Sequence, residues 1–325
     1  MAAGEVNKSE AGAFKVAVVV ATYSESRWEH LLRAIQSLNH QTHPPSEIVV
    51  VVDHNQDLLN RARACLGNYQ LVDNSNPRGL AGARNSGFAA ASSEIVAFID
   101  DDAEAFPDWL EKLLPEYLDD RVLGVGGAIE PVWPERPGWL APEFDWVVGC
   151  SYQGLPSRAT PVRNLIGCNM SFRRDTLIAS GGFRDGIGPL GGSAFALGCD
   201  ETELCIRVLH AWPGYQLIYQ PLARVRHRVP VERRRWRYMA RRCYAEGLGK
   251  AQVVSSVGIG DGLKSERGYV LRTLPSGVVR GFSDLARRRN PGGLARSASI
   301  VAGLLLTVAG YCHGRVIDRV WRRAP

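Results

Sequence analysis

The sequence predicts an α/β protein with a central, mostly parallel sheet and a basic helical segment at its C-terminal end. Two patterns carry this. In the first hundred residues short apolar runs alternate with segments of helical periodicity, and beyond His227 the composition turns abruptly to arginine.

The first run is Lys15 to Ala21, followed by Arg27 to Leu38, where Leu31, Leu32, Ile35 and Leu38 recur at helical spacing. The alternation continues with a strand at Glu47 to Val52, a helix at Leu58 to Leu66, a strand at Tyr69 to Asp73, an alanine-rich helix at Leu80 to Ala91 and a strand at Glu94 to Ile99. Four strands separated by helices imply parallel pairing. Val49 to Val52 is apolar without alternation, as in strands covered on both faces. Ligands of such sheets bind beyond the carboxyl ends of the strands. Those ends are Thr22 and Tyr23, Asp53 and His54, Asn74 to Gly79, and Asp100 to Asp102. Two further strands are expected at Val122 to Ile129 and Asn169 to Arg173, with a Pro- and Trp-rich stretch between them read as an irregular wall or lid.

With 325 residues, 45% hydrophobic and 22% charged, the chain has the composition of a globular protein. A formal net charge of +6 favours an anionic partner. The seven cysteines are scattered without a C-x-x-C pair, which points to a reducing compartment and away from structural zinc. Residues 1–13 read as a loose tail. Gly186-Ile-Gly-Pro-Leu-Gly191 fits G-x-G-x-x-G, but Pro189 interrupts it and no strand precedes it, so it is read as a loop near the acceptor. No phosphate-binding P-loop is present.

Asp100, Asp101 and Asp102 follow an apolar strand, and three adjacent carboxylates repel unless a cation is near. With Asp100 and Asp102 on one side of an extended chain, one can hold Mg2+ or Mn2+ while the other orients a ribose or a water.

The triplet belongs to a longer series. Val18-Val-Val-Ala-Thr-Tyr23, Val51-Val-Asp53, Asn76-Pro-Arg-Gly-Leu-Ala-Gly-Ala-Arg-Asn85, Phe98-Ile-Asp-Asp-Asp102, Gly167-Cys-Asn-Met-Ser-Phe-Arg173, Gly181-Gly-Phe183, Asp200-Glu-Thr-Glu-Leu204 and His227 occur in the order and spacing of a known family. From Phe14 to about His227 the chain resembles family 2 glycosyltransferases of the GT-A fold. The resemblance implies that Ala21, Thr22, Tyr23 and Asp53 hold the nucleoside base, that Arg84 approaches the phosphates, that Asp100 serves the donor, and that Asp102 and His227 are metal ligands. A carboxylate suits a uracil N–H, and a guanidinium suits phosphate oxygens. His54 stands where a second aspartate is frequent, so UDP is the family-weighted choice of nucleotide rather than a fixed one. The family's usual base dyad is Glu-Asp. Here Asp200-Glu201 aligns Glu201 with the base, with Asp200 as the alternative, and inversion of configuration is expected.

The resemblance divides the chain into a tail (1–13), a catalytic domain (14–228) and a basic, apolar C-terminal segment (229–325). Nine arginines fall between Arg224 and Arg242, interleaved with Trp236, Tyr238 and Met239. Such a face suits nucleic acid or anionic lipid in general. With a glycosyltransferase it points to an acceptor phosphate or the cytoplasmic membrane surface, and no nucleic acid is expected. The charge-free run between Arg296 and His313 is short for a bilayer span, leaving interfacial insertion or packing on the domain. Phe98 to Ala103, Pro107-Asp-Trp109, Val162-Arg-Asn164, Asn169 to Arg174 and Ala309-Gly-Tyr311 further resemble glucosyl-dolichyl phosphate glucuronosyltransferases. The expected reaction is transfer of a sugar, glucuronic acid being one candidate, from a UDP-sugar to a hydroxyl of a lipid-linked or phosphorylated acceptor. The alternatives are a soluble enzyme acting on a small molecule and a non-catalytic membrane protein that binds sugar nucleotides.

Overall fold

The computed structural model describes residues 14–184, 200–257, 267–288 and 292–321. The tail and the Gly186–Gly191 motif lie outside these. Two compact units emerge. Among the described residues, the first takes 14–130, 156–184 and 204–227; the second takes 131–155, 200–203 and those from 228 onward.

The expected alternation is present. Strands β1 (Val16–Thr22), β2 (Glu47–Val52), β3 (Gln70–Asp73) and β4 (Ile95–Asp100) are separated by helices α1 (Trp28–Asn39), α2 (Gln56–Cys65) and α3 (Leu80–Ala90). All four strands run parallel in the spatial order β3-β2-β1-β4. Val16 to Val20 and Val49 to Val52 are buried throughout, which is why their runs lack polar alternation. Beyond β4 the sheet turns antiparallel. After the short strand β5 (Ala103–Ala105) and helix α4 (Trp109–Leu113) come β6 (Val122–Val132), β7 (Thr160–Val162), β8 (Asn169–Arg173), helix α5 (Arg174–Ser180), helix α6 (Asp200–Ala211) and β9 (Gln216–Arg228). The sheet order continues β4-β8-β6-β9-β5, with β7 also on β9. Phe98, Met170, Phe172, Leu204, Cys205, Val208 and Leu217 fill the core of this unit.

Asn169 ties the antiparallel half together. It is fully buried; its Oδ1 accepts from Trp109 Nε1 at 2.8 Å, and its Nδ2 donates to the Ala128 and Ala223 carbonyls at 3.0 and 2.9 Å. Gly127 makes room for this: a Cβ there would run into the Ala223 carbonyl oxygen.

In the second unit, the Pro- and Trp-rich stretch is core rather than lid. Leu140, Ala141, Phe144 and Val147, with Trp133, Trp139 and Trp146 against them, pack on Met239, Cys243, Leu274 and Ile300. These come from helices α7 (Trp236–Val257), α8 (Leu274–Arg288) and α9 (Gly292–Trp321). Helices α7 and α9 approach through glycines. A Cβ at Gly247 would run into the Thr307 carbonyl oxygen, and one at Gly310 into that of Tyr244. Helix α9 exceeds the expected apolar run: Gly292–Ile317 is long and apolar enough, by length and composition, to cross a membrane. Arg296, where the charge-free run stopped, pairs with Asp284 at 2.7 Å inside the unit.

Candidate active site

The carboxyl ends of β1, β2, β3 and β4 lie side by side, because their registers pair Thr22 with Val52, Val52 with Asp73 and Ala21 with Asp100. Two clusters form there.

The first surrounds Asp53. Its backbone N–H donates to the Thr22 carbonyl at 2.8 Å. Its Oδ1 accepts from Asn74 Nδ2 at 2.6 Å and its Oδ2 from the Gly79 N–H at 3.0 Å. Asn74 Oδ1 in turn accepts from the Asn76 N–H and from Ser86 Oγ. The Asn76-Pro-Arg-Gly79 loop is thereby bound to the end of β2. Asp53 thus organises this loop, and a carboxylate keeps further acceptor positions for a base N–H. His54 has a φ of 49°, in the left-handed region, and its Nε2 lies 2.8 Å from the Asn76 carbonyl oxygen. Thr22 is buried, Ala21 half-buried, and Tyr23 exposed beneath the Arg27 guanidinium, whose carbon is 5.1 Å from the ring centre.

The second cluster surrounds the aspartate triplet. Arg27, absent from the sequence-derived site, pairs with Asp101 and, at 2.9 Å, with Asp102 Oδ2. Buried Arg84 lies 3.6 Å from Asp100 Oδ1 and donates to the Gly167 carbonyl at 3.0 Å. Arginines therefore already offset the repulsion among the three acids, and the case for a cation passes from charge to donor geometry. Burial pushes the Asp101 carboxyl up to about 6, against the pull of the Arg27 guanidinium. Burial pulls the Arg27 guanidinium down, but the Asp102 and Asp101 carboxylates outweigh it and raise it above its ordinary value.

His227 is the meeting point. Its Nε2 is 3.3 Å from Asp102 Oδ1, and ligand atoms of Asp100, Cys168 and His227 all lie within 4.8 Å of one another. Carboxylate oxygen, imidazole nitrogen and thiol sulfur at this spacing fit a divalent transition ion. The structure thus brings together Asp100, Asp102, Arg84 and His227 from the sequence-derived set and adds Arg27, Asn74 and Cys168. The strand register was the available signal for Cys168, since Ile99 pairs with Asn169 antiparallel and the residues that follow and precede them are Asp100 and Cys168. Asp200 and Glu201 form the first turn of α6, where the helix dipole favours acids.

A parallel nucleotide-type sheet with an antiparallel extension, and carboxylates at the switch between the two, is the arrangement of the GT-A fold. Residues 17–180 match the family model described as glycosyl transferase family 2, and the chain belongs to that family. It is 35% identical over 241 residues to a glucosyl-dolichyl phosphate glucuronosyltransferase of Haloferax volcanii, covering 73% of this chain and 76% of that one. Among solved structures, a mannosyltransferase of Pyrobaculum calidifontis in complex with GDP-Man and Mn2+ aligns with a TM-score of 0.56 and 20% identity over 96% of this chain and 89% of its own. GalNAc-T7 with UDP, GalNAc and Mn2+ aligns with a TM-score of 0.51 and 18% identity over 67% of this chain and 44% of its own. At these identities the structural matches speak for the fold alone.

Proposed function

We propose that the protein is an inverting, divalent-metal-dependent glycosyltransferase that moves a hexose or hexuronic acid from UDP to a hydroxyl of a lipid-linked acceptor. The observation that carries this is the convergence of Asp100, Asp102 and His227 at the strand ends, next to a loop braced by Asp53. Asp53, with Ala21, Thr22 and Tyr23, receives the base. Arg84 faces the phosphates and Asp100 serves the donor.

Asp102 and His227 would hold Mn2+ or Mg2+, which when bound would offset charge on the departing diphosphate. Glu201, or Asp200 in its place, takes the proton of the acceptor hydroxyl. The hydroxyl oxygen then bonds to the anomeric carbon from the face opposite the diphosphate, and the bond from that carbon to the phosphate oxygen breaks. Configuration inverts, and UDP leaves.

The Haloferax relative, whose name specifies a glucosyl-dolichyl phosphate substrate, supports this acceptor. The surface of the second unit supports it. Leu271, Val279 and Phe282 are exposed along α8 and the turn before it, and Val301, Leu305 and Val308 along α9, while Arg235, Arg237 and Arg241 remain exposed at the start of α7. Exposed apolar side chains and arginines in one unit suit an anionic bilayer surface and support a peripheral enzyme on the cytoplasmic face.

Calorimetric titration with nucleoside diphosphates and sugar nucleotides, first with Mn2+ and then with excess EDTA, tests the donor site. Metal-dependent binding of UDP and one UDP-sugar is expected. Binding of UDP that EDTA leaves intact would remove the metal from the mechanism, and tighter binding of GDP would replace the nucleotide.

A further inference from the structure

The cluster around His227 contains one group that the carboxylate-histidine reading does not use. Cys168 stands immediately before β8 and near Asp100 at the end of β4, because the antiparallel register pairs Ile99 with Asn169. On the other side, β5 pairs with β9 so that Ala103 lies opposite His227. Two registers thus deliver a carboxylate, a thiol and an imidazole to one point, with all three ligand atoms within 4.8 Å of one another. Ligands about 2.0 to 2.3 Å from a shared ion lie no more than about 4.6 Å apart, so closing this triad around an ion takes only small side-chain movements.

We propose that the Cys168 thiolate is a direct ligand of the donor-site cation, making this a mixed carboxylate, imidazole and thiolate centre that prefers softer divalent ions over Mg2+. The inference rests on the metal-dependent reading above and specifies its ion. Cys168 is only 4% exposed, so it is no surface thiol. A buried cysteine ordinarily packs as a small apolar group. Here its sulfur shares a point with a carboxylate and an imidazole. The backbone beside it is pinned by the three side-chain hydrogen bonds of Asn169 and by the Asn169 N–H donating to the Ile166 carbonyl at 3.0 Å. As the ion binds, the thiol gives up its proton to solvent and the sulfur enters as thiolate. Thiolate ligation favours Co2+ and Zn2+ over Mn2+, and all of these over Mg2+, which demands oxygen ligands and keeps its water.

The test is a Co2+ titration of the full-length protein without nucleotide, with Cys65, Cys199 and Cys312 replaced by serine to remove other candidate thiols. Competition against Mn2+ is followed by the paramagnetic resonance of the free ion. A near-ultraviolet thiolate-to-cobalt charge-transfer absorption that saturates at one equivalent is expected. It should vanish in Cys168→Ser and Cys168→Ala, whose Co2+ affinity should fall at least about tenfold, a loss that even an outer-shell partner can cause. Co2+ that displaces Mn2+ without the absorption, or an absorption that survives both substitutions, overturns the thiolate ligand and leaves the metal-dependent reading standing. Failure of both ions to bind sinks both readings. The parent protein's spectrum decides the matter even where a substituted protein does not fold.

Discussion

Replacing Asn169 probes the brace on which the candidate metal centre rests. In Asn169→Ala the Trp109 indole N–H loses its acceptor, and the Ala128 and Ala223 carbonyls lose a shared donor, all in a region closed to water. Each stranded buried group costs about 1–3 kcal/mol. Counting the indole once and the two carbonyls together once, with a small cavity added, gives a destabilisation of about 3–5 kcal/mol. Chemical denaturation followed by circular dichroism measures it, with Trp109→Phe and the double variant completing a cycle. Trp109→Phe alone strands the Asn169 oxygen, whereas the double variant strands neither member of that pair. The double should therefore be less destabilised than the sum of the singles by about 1–2 kcal/mol. An Asn169→Ala loss below about 1 kcal/mol, or strict additivity, would refute the claim that this side chain locks β6, β8 and β9.

Three other perturbations address the chemistry and the surface. Glu201→Gln should lower transfer by about 10²–10⁴-fold with donor affinity in calorimetry nearly unchanged; full turnover would move the base to Asp200 or elsewhere. Asp53→Ala removes the acceptor for Asn74 and the Gly79 N–H, so UDP affinity should fall about 10–100-fold, the equivalent of one hydrogen bond to a charged group; unchanged affinity would place the base outside this loop. Phe282→Asp with Leu305→Asp should reduce co-sedimentation with anionic vesicles about 100-fold or more, from roughly 1.5–3 kcal/mol lost per apolar side chain, and undiminished binding would clear α8 and α9 of that role.

Much of the fold was legible because its first half is written in local terms. Val16 to Val20 and Val49 to Val52 are continuous apolar runs whose burial on both faces leaves no other reading. The triplet at Asp100 to Asp102 and the Gly167-Cys-Asn motif were visible as words, but their physical sense depends on partners far along the chain. Arg27 neutralises Asp101 and Asp102 across more than seventy residues, and nothing near it in sequence announces that pairing. Cys168 became a candidate ligand only once strand register placed it near Asp100, a relation that needs both strands and their offset. The length of α9 was underread for a similar reason. Arg296 ended the apolar count as a bare charge, whereas in the folded unit Asp284 already answers it.

The glycine contact between α7 and α9 bears on how the second unit behaves when water is replaced by lipid. Hydrophobic packing holds two helices together only while the alternative is exposure to water, and it loses its grip among acyl chains. Gly247 and Gly310 let backbone meet backbone, so that crossing is held by shape and close-range attraction, which persist in an apolar solvent. On the membrane reading proposed above, helix α9 would turn its Leu305 stripe into a bilayer without letting go of α7, and the pair would enter and leave as one body.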